Sequence, residues 1–235
     1  MGEVMMPRRG GSKSIMIGSL NIGDSLYLPE NQIWTEYLVV HQGRPSALYD
    51  TSCDGTWLLR KDILENRQWH SSNTNDYANS TIHSYLNSTF LSQLGSNIQA
   101  AIKQVKIPYV NGTANSAVAS GANGLSAKVF LLSGYEAGFT TSVNQYFPVD
   151  GAKLSYFISG NDASAQAKRI ANLNGKSTRW WLRSPNTSSS INAWHVNSTG
   201  RYDCSHSYGV RPALILPSTL TVPVIPKDLS AVVVR

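Results

Sequence analysis

The segments WWLRSP at residues 180–185 and GVRPAL at residues 209–214 decide the fold, because both are stiff, apolar and rich in side chains that a core must bury. Between them, residues 186–208 contain many Ser, Asn, Thr and Tyr side chains and scarcely a long aliphatic one. This composition is typical of a recognition surface, in which rigid aromatic rings supply contact area and short polar groups supply adaptable hydrogen bonds. An ordinary polar hairpin has a similar composition, since turns favour the same residues. Both interpretations of the 186–208 segment are open at this level.

Length and composition predict one ordered domain. The chain has 235 residues, of which 41% are hydrophobic and 14% are charged, and this is enough apolar content for a well-buried core. The formal net charge is +6, and its densest basic patch, at Arg8, Arg9 and Lys13, lacks the interleaved aromatic residues of a nucleic-acid-binding stripe. No apolar run approaches the ~20 residues that span a bilayer, and the start lacks a signal-peptide pattern. We therefore expect neither nucleic-acid binding nor membrane insertion.

The composition also divides the chain into three parts. Residues 1–19 predict an N-terminal arm, residues 20–217 the folded domain, and residues 218–235, which proline punctuates, an extended C-terminal tail. Chain ends of this kind usually need a surface to dock on before they become ordered. We therefore expect the arm and the tail to attach the domain to further copies of the chain, in a homo-oligomer, or to other proteins.

Runs of β-branched and aromatic residues indicate the strands. The sequence predicts strands at residues 21–28, 33–41, 56–60, 128–132, 179–183, 193–196 and 210–216. Because strands lie near both ends of the domain, we expect the terminal strands to pair.

Two helices are predicted in the first half of the chain. Asp76 is a suitable N-cap for a helix that continues through Ser88, and a second helix is predicted from residue 91 to residue 105, where apolar residues recur at helical spacing. Residues 163–173 predict a weaker helix or a loop. Helices that follow one group of strands and precede another indicate the α+β class.

The motif WWLRSP, the polar segment after it and the closing motif YGVRPAL resemble a domain family of undetermined function found in gut bacteria and their phages. That family resembles in turn the C-type lectin fold, which includes the formylglycine-generating enzymes and the variable proteins of diversity-generating retroelements. The resemblance covers roughly residues 20–217. It implies a C-type lectin-like α+β fold with two helices and antiparallel sheets.

Retroelement variable proteins are diversified by adenine-directed mutagenesis of their DNA. At codons of the AAC type this process yields Asn, Ser, Asp, Gly, His, Arg, Tyr, Cys, Thr and small apolar residues, but not Lys, Glu, Gln, Met or Trp. Within the 186–208 segment those excluded types occur once, at Trp194. This pattern is expected if Trp194 is a fixed frame residue and the positions around it are diversified.

By similarity, the ligand-facing positions are side chains of the 186–208 segment that are expected to be exposed. They are Asn186, Ser188, Ser190, Asn192, His195, Asn197, Arg201, Asp203, Cys204, Ser205 and His206. The resemblance further implies a buried frame that holds these positions, formed by Trp181, Arg183, Trp194, Gly209 and Arg211. Buried arginines need hydrogen-bond acceptors, so we expect the two frame arginines to clamp the ends of the loop through its carbonyl groups.

No catalytic or metal-binding constellation is indicated, so we expect no enzyme activity, no cofactor and no metal. The histidines lack the HExxH spacing of a metalloprotease, and His195 and His206 are the two that a hairpin could bring together. Cys53 and Cys204 lack the paired spacing of a zinc site, and their spacing does not decide whether they form a disulfide. The calcium motifs of C-type lectins, Glu-Pro-Asn and Trp-Asn-Asp, do not occur. Formylglycine-generating enzymes hold copper with paired cysteines, whereas Cys204 stands alone in the matching region.

Together these observations predict a protein that binds a protein or glycan receptor through the 186–208 segment. The resemblance implies display on a phage virion, in a tail or fibre, or alternatively on a bacterial cell surface, with diversification by a retroelement. Two alternatives are open. One is an oxidoreductase of the formylglycine-generating type, and the other is a structural virion protein or adhesin without diversified ligand binding.

Overall fold

The structure, a computed structural model, describes residues 13–112, 117–196 and 201–225, without the side chains of residues 201–203. The strands are β1 (Ser14–Met16), β2 (Ser25–Glu30), β3 (Ile33–Gln42), β4 (Thr56–Arg60), β5 (Asn66–Gln68), β6 (Val105–Ile107), β7 (Tyr109–Val110), β8 (Val118–Ala119), β9 (Leu125–Ala127), β10 (Val129–Phe130), β11 (Asn172–Leu173), β12 (Lys176–Ser177), β13 (Trp180–Pro185), β14 (Asn192–Val196), β15 (Arg201–Asp203), β16 (Ser207–Gly209), β17 (Ala213–Leu216) and β18 (Thr221–Pro223). The helices are α1 (Thr81–Tyr85), α2 (Leu91–Gln93), α3 (Ser96–Ala101) and α4 (Ala163–Arg169). A π-helical turn, Leu86–Phe90, joins α1 to α2, and single 3-10 turns occur at Ile17–Ser19, Thr51–Cys53, Tyr77–Asn79 and Gly121–Asn123.

Two five-stranded sheets dominate the fold. The first has the order β10-β17-β4-β3-β2 and is antiparallel throughout, and the second has the order β15-β14-β13-β16-β5. In the second sheet only β13 and β16 are parallel, with Trp180 opposite Gly209. Short helices with mostly antiparallel strands confirm the predicted α+β class.

The ends of the described chain pair with each other, through strands in the predicted arm and tail; the predicted strands at 21–28 and 210–216 lie in one sheet but are not neighbours in it. β1 and β18 are antiparallel, with Ser14 opposite Pro223. Ile17 and Val222 are buried beside this pair, so both ends join the apolar core. Where the structure describes them, the predicted arm and tail therefore contact one another. Residues 1–12 and 226–235 lie outside the described residues.

Two apolar clusters form the core, and both sheets contribute to each. The first cluster includes Trp57, Trp180 and Trp194, and the second includes Leu58 and Trp181. Neighbouring residues of a strand point to opposite faces, so consecutive residues of β4 and of β13 enter different clusters. Each sheet is therefore covered on both faces near its centre.

The first predicted helix is present but begins later than predicted. Asp76 caps only the 3-10 turn, by accepting from Ala78 N at 3.1 Å, and Ser80 caps α1 by accepting from His83 N at 3.2 Å. Ile82, Leu86 and Phe90 follow at helical spacing, and all three are fully buried in the second cluster. This face anchors the helical segment to the core.

The second helix is much shorter than the predicted 91–105. Leu94 is extended, with a ψ of 148°, and α3 ends at Ala101 because Ile102 is extended again. Gly95 lies against β2, where its N–H donates to Pro29 O at 2.8 Å and a Cβ would come within 2.5 Å of the proline ring. Val105 belongs to β6 and pairs with Ala127. The predicted apolar stripe is buried, but tertiary contacts break the helix.

Candidate functional site

The 186–208 segment begins after β13 and forms β14 and β15 at one edge of the second sheet. It then leads into β16, which pairs with the other side of β13. A turn at residues 186–191 connects β13 to β14, and β14 pairs with β15 with Trp194 opposite Arg201. The loop that starts at Cys204 packs beside the end of β5, where His70 N donates to Cys204 O at 3.0 Å. The segment is therefore tied to the sheet at both ends.

Five of the predicted ligand-facing residues are at least partly open to solvent. Ser188, Ser190 and His206 are exposed, and Asn192 and Ser205 are half-buried. Ile191, which the sequence analysis did not select, is 38% exposed. Ser188, Ser190, Ile191, Ser205 and His206 form the exposed rim of the 186–208 segment.

The prediction of exposure is wrong at three positions. Asn186, His195 and Cys204 are buried, each at most 2% exposed. Cys204 belongs to the second core cluster. His195 lies opposite Trp181 in the ladder, and its ring centroid is 4.8 Å from that of Tyr208. Burial, and then the nearby charge of Arg179, lower the pKa of His195 to about 4, so its ring is neutral at pH 7. His195 and Cys204 therefore pack inside the protein.

Asn186 is buried because its side chain builds the turn. Its Oδ1 accepts from Ser188 N at 2.8 Å and from Ser188 Oγ at 2.7 Å, and its backbone N–H donates to Asn192 O at 2.9 Å. This is the local pattern that makes asparagine frequent in turns. Of the remaining predicted positions, Asn197 and the side chains of Arg201 and Asp203 lie outside the described residues.

The tryptophans of the predicted frame are buried, as expected. Trp181 and Trp194 are both 0% exposed, as is Trp180, which was not among the predicted frame residues, and each indole N–H donates to a backbone carbonyl. Trp180 donates to Arg169 O at 2.9 Å, Trp181 to Arg67 O at 2.9 Å, and Trp194 to Tyr146 O at 3.3 Å. Buried tryptophans held in this way fix the strands that carry the rim.

Gly209 is a close-packing position of the same frame. A Cβ there would lie 2.6 Å from Arg179 O and 2.8 Å from Ile63 Cγ2. Because the backbone carbonyl cannot move without breaking the pairing of β13 with β16, only glycine fits.

Arg183 is buried as predicted, but its partners are not the loop ends. Its Nη1 and Nη2 donate to the carboxylate of Glu136 at 2.5 and 2.6 Å, and both side chains are 0% exposed. Further bonds reach the carbonyls of Pro108, Leu131 and Asp150. Burial by itself disfavours the cation, but the Glu136 carboxylate outweighs it and raises the pKa of Arg183. Arg183 therefore joins three distant chain segments inside the core.

Asp150 completes this buried polar cluster. Its Oδ2 accepts from Ser184 Oγ at 2.7 Å, while Ser184 Oγ accepts from Gly134 N at 2.8 Å. Burial raises the pKa of the Asp150 carboxyl to about 6, although the charge of Arg183 opposes this. Ser184, which follows Arg183 in the WWLRSP motif, is thus a fully buried structural hydroxyl.

Arg211 is also buried, against the first sheet. Its Nε donates to Arg60 O at 2.9 Å, and its guanidinium carbon lies 5.0 Å from the ring centroid of Trp180. Nη1 is buried and has no hydrogen-bond partner among the described residues. Burial lowers the pKa of Arg211 to about 10. Arg211 therefore packs against Trp180, the neighbour of the frame residue Trp181, and does not clamp the hairpin turn as predicted.

Asn75 holds the turn instead, from the loop between β5 and α1. Its Nδ2 lies 2.7 Å from Ser189 O, 2.8 Å from Asn192 O and 3.3 Å from Asn186 O. Its backbone N–H also donates to Ser190 O at 2.9 Å. One buried side chain therefore binds both ends of the turn that carries the rim.

Replacing Asn75 by alanine should lower the free energy of unfolding by about 1–3 kcal/mol, because the buried carbonyls of the turn lose their donor. The 186–192 turn should also become the first site of cleavage in limited proteolysis. Urea unfolding and mass spectrometry of the digest measure the two effects. Asn73→Ala is the matched control, since Asn73 is exposed in the same loop. Equal stability of the two variants would show that Asn75 does not clamp the turn.

A cavity of about 550 Å³ opens beside the 186–208 segment. Val196, Ser207 and Tyr208 of that segment form one wall, and Arg169 of α4 and Arg179 lie on others. Its volume is within the range of small-molecule sites. The guanidinium carbon of Arg179 lies 5.7 Å from the ring centroid of Tyr208. The sequence analysis missed this cavity, because α4 and β16 are distant in sequence.

Across residues 13–112, 117–196 and 201–225, no three His, Cys, Asp or Glu side chains are close enough together to hold a metal ion. Cys53 and Cys204 are buried in different core clusters and are not bonded to each other. Within the described part of the chain, no helix has the length and apolar character needed to cross a bilayer. The cavity walls offer amides, hydroxyls, rings and guanidinium groups, which suit binding of a polar ligand.

Comparison with known proteins gives one match. A family model described as a domain of unknown function (DUF6273) matches residues 54–218, which include both frame motifs, Asn75 and the cavity. No curated protein and no solved structure matches the chain. Because the family model spans more than half of the chain, the protein belongs to the DUF6273 family.

Proposed function

We propose that this protein binds a protein or glycan receptor through the exposed rim of the 186–208 segment and the cavity that Val196, Ser207 and Tyr208 of the same segment line. The observation that carries the proposal is the division of this segment between two environments. Its tryptophan and the flanking motifs are buried in the core, whereas Ser188, Ser190 and His206 are exposed. A rigid scaffold that presents short polar side chains loses little conformational entropy on binding.

We also propose that the domain is C-type lectin-like and is displayed on a phage virion or a bacterial surface. The support is the resemblance of the WWLRSP and GVRPAL motifs, together with the α+β architecture and the paired chain ends. If a retroelement diversifies the chain, variation is expected at rim positions and not at buried Asn186, His195 or Cys204. Sequencing the flanking DNA for a near-identical template repeat tests this point.

The competing oxidase function requires a reactive thiol at the surface. Cys204 is 0% exposed in the second core cluster, and this burial favours recognition over thiol chemistry.

The receptor-binding proposal can be tested with the variant Ser188→Arg/Ser190→Arg. The labelled full chain is applied to a glycan array and to intact gut bacterial cells. We expect the variant to bind the wild-type targets at least about tenfold more weakly, because two large charged side chains cover the rim. The melting temperature should change by less than about 4 °C, since exposed substitutions cost about 0.5 kcal/mol each.

Ser92→Arg/Ser96→Arg is the control, because it adds the same charge at exposed positions of the helical segment. It should bind like the wild type. Equal binding by both double variants, or no binding by the wild type to either surface, would refute the proposal.

A further inference from the structure

The cavity has a mixed lining with polar, basic and apolar parts. Amide and hydroxyl side chains account for half of its twelve described lining residues, namely Asn66, Asn161, Gln166, Ser177, Thr178 and Ser207, beside the apolar side chains of Phe139, Ile170 and Val196. The charged residues among its described lining are Arg169 and Arg179, and no described lining residue is acidic. A cavity of this composition favours a ligand that is both hydroxylated and negatively charged.

Among the residues that the structure describes, no carboxylate forms an ion pair with the buried cation of Arg169. It is 2% exposed, and its Nε, Nη1 and Nη2 groups donate to neutral oxygens of Ala137, Asn161 and Gly160 at 2.7, 3.2 and 2.5 Å. Its guanidinium carbon lies 3.8 Å from the ring centroid of Phe139. Burial lowers its pKa to about 10, against the distant charge of Asp162. A buried charge of this kind is costly until an anion comes near.

Tyr208 and Arg179 supply the other two groups that such a ligand needs. Tyr208 is half-buried and is one of the lining residues of the cavity, and an aromatic ring can offer an apolar surface to the face of a sugar. Arg179 is also partly exposed, and its Nη1 lies 3.5 Å from the Tyr208 hydroxyl. The planar guanidinium fork matches a carboxylate in a bidentate geometry.

We propose that this cavity binds the carboxylate of an acidic sugar, such as a uronic or sialic acid. Arg179 contacts the carboxylate, Arg169 supplies positive potential from below, and the amides and hydroxyls bind the sugar hydroxyl groups. The inference rests on the proposed receptor-binding function and specifies the chemical class that the site recognises.

Titration calorimetry of the full chain with glucuronate and N-acetylneuraminate tests the proposal, with methyl glucoside as the neutral comparison and inorganic phosphate as a second anion. We expect both acidic sugars to bind at least about tenfold more tightly than methyl glucoside and phosphate, because methyl glucoside lacks the carboxylate and phosphate lacks the sugar hydroxyl groups. Arg179→Gln should remove this preference. Arg44→Gln is the matched control, because Arg44 is exposed on a distant loop and carries the same charge.

Gln166→Trp provides a second variant, in which an exposed residue of the cavity wall is enlarged to fill the space. It should abolish sugar binding with little change in melting temperature. Equal affinity of the wild type for glucuronate and methyl glucoside, or of Arg179→Gln and Arg44→Gln for glucuronate, would overturn the inference. Tight binding of phosphate alone would overturn the sugar assignment. Array or cell binding that requires Ser188 and Ser190 but not Arg179 would refute the cavity inference and leave the receptor-binding function standing.

Discussion

Replacing Glu136 by glutamine should lower the free energy of unfolding by about 3–5 kcal/mol, because it leaves the Arg183 cation buried without its counter-charge. Both side chains are 0% exposed and form two short hydrogen bonds. Glu136 also accepts from Tyr49 Oη at 2.8 Å and from Ser133 N at 2.9 Å. The substitution therefore weakens a network that joins β13 to residues 131–136 and to Asp150. Urea or thermal unfolding followed by circular dichroism measures the loss.

The control for this prediction is Glu65→Gln, which breaks the ion pair of Glu65 with Arg67. Those side chains are 40% and 39% exposed, so the cost should be at most about 1 kcal/mol. The double variant Glu136→Leu/Arg183→Met should recover part of the loss, because it removes both charges together. If Glu136→Gln costs no more than Glu65→Gln, the buried pair does not stabilise the fold.

The central strands could be predicted from the sequence, because runs of β-branched and aromatic residues mark them. β3, β4, β13, β14 and β17 all lie within two or three residues of the predicted strands at 33–41, 56–60, 179–183, 193–196 and 210–216. Helix ends were less predictable. The second predicted helix is broken at Leu94 and Gly95, where Gly95 contacts Pro29, and Val105 leaves that helix to pair with Ala127. Neither contact has a local signal in the sequence.

The frame of the candidate site could be predicted, but its rim only in part. Strand alternation places His195 on the opposite face from Trp194, and from the sequence alone that face could be taken for a solvent face. In the structure the second core cluster covers it. The partners of Arg183 and the clamp formed by Asn75 were not predictable, because Glu136 is 47 residues from Arg183 and Asn75 is 111 residues from Asn186. Such pairs depend on how distant segments pack.

The second large effect is expected for Trp181→Ala, which should lower the free energy of unfolding by about 3–5 kcal/mol. Trp181 is 0% exposed, its indole N–H donates to Arg67 O at 2.9 Å, and its ring centroid lies 4.9 Å from that of Tyr208. Removing the indole leaves a cavity between β13 and β5. Tyr208 then loses the aromatic ring that packs against it. Acidic-sugar binding should therefore weaken together with stability.

Two further variants separate packing from hydrogen bonding at this position. Trp181→Phe keeps most of the apolar volume but loses the bond to Arg67 O, so it should cost clearly less than Trp181→Ala, with about 1 kcal/mol attributable to that bond. Ser190→Ala, on the exposed rim, should stay within about 0.5 kcal/mol of the wild type. Chemical unfolding of the three variants gives the ranking. A greater loss for Ser190→Ala than for Trp181→Ala would reverse the assignment of frame and rim, and the receptor-binding proposal would then lose its structural basis.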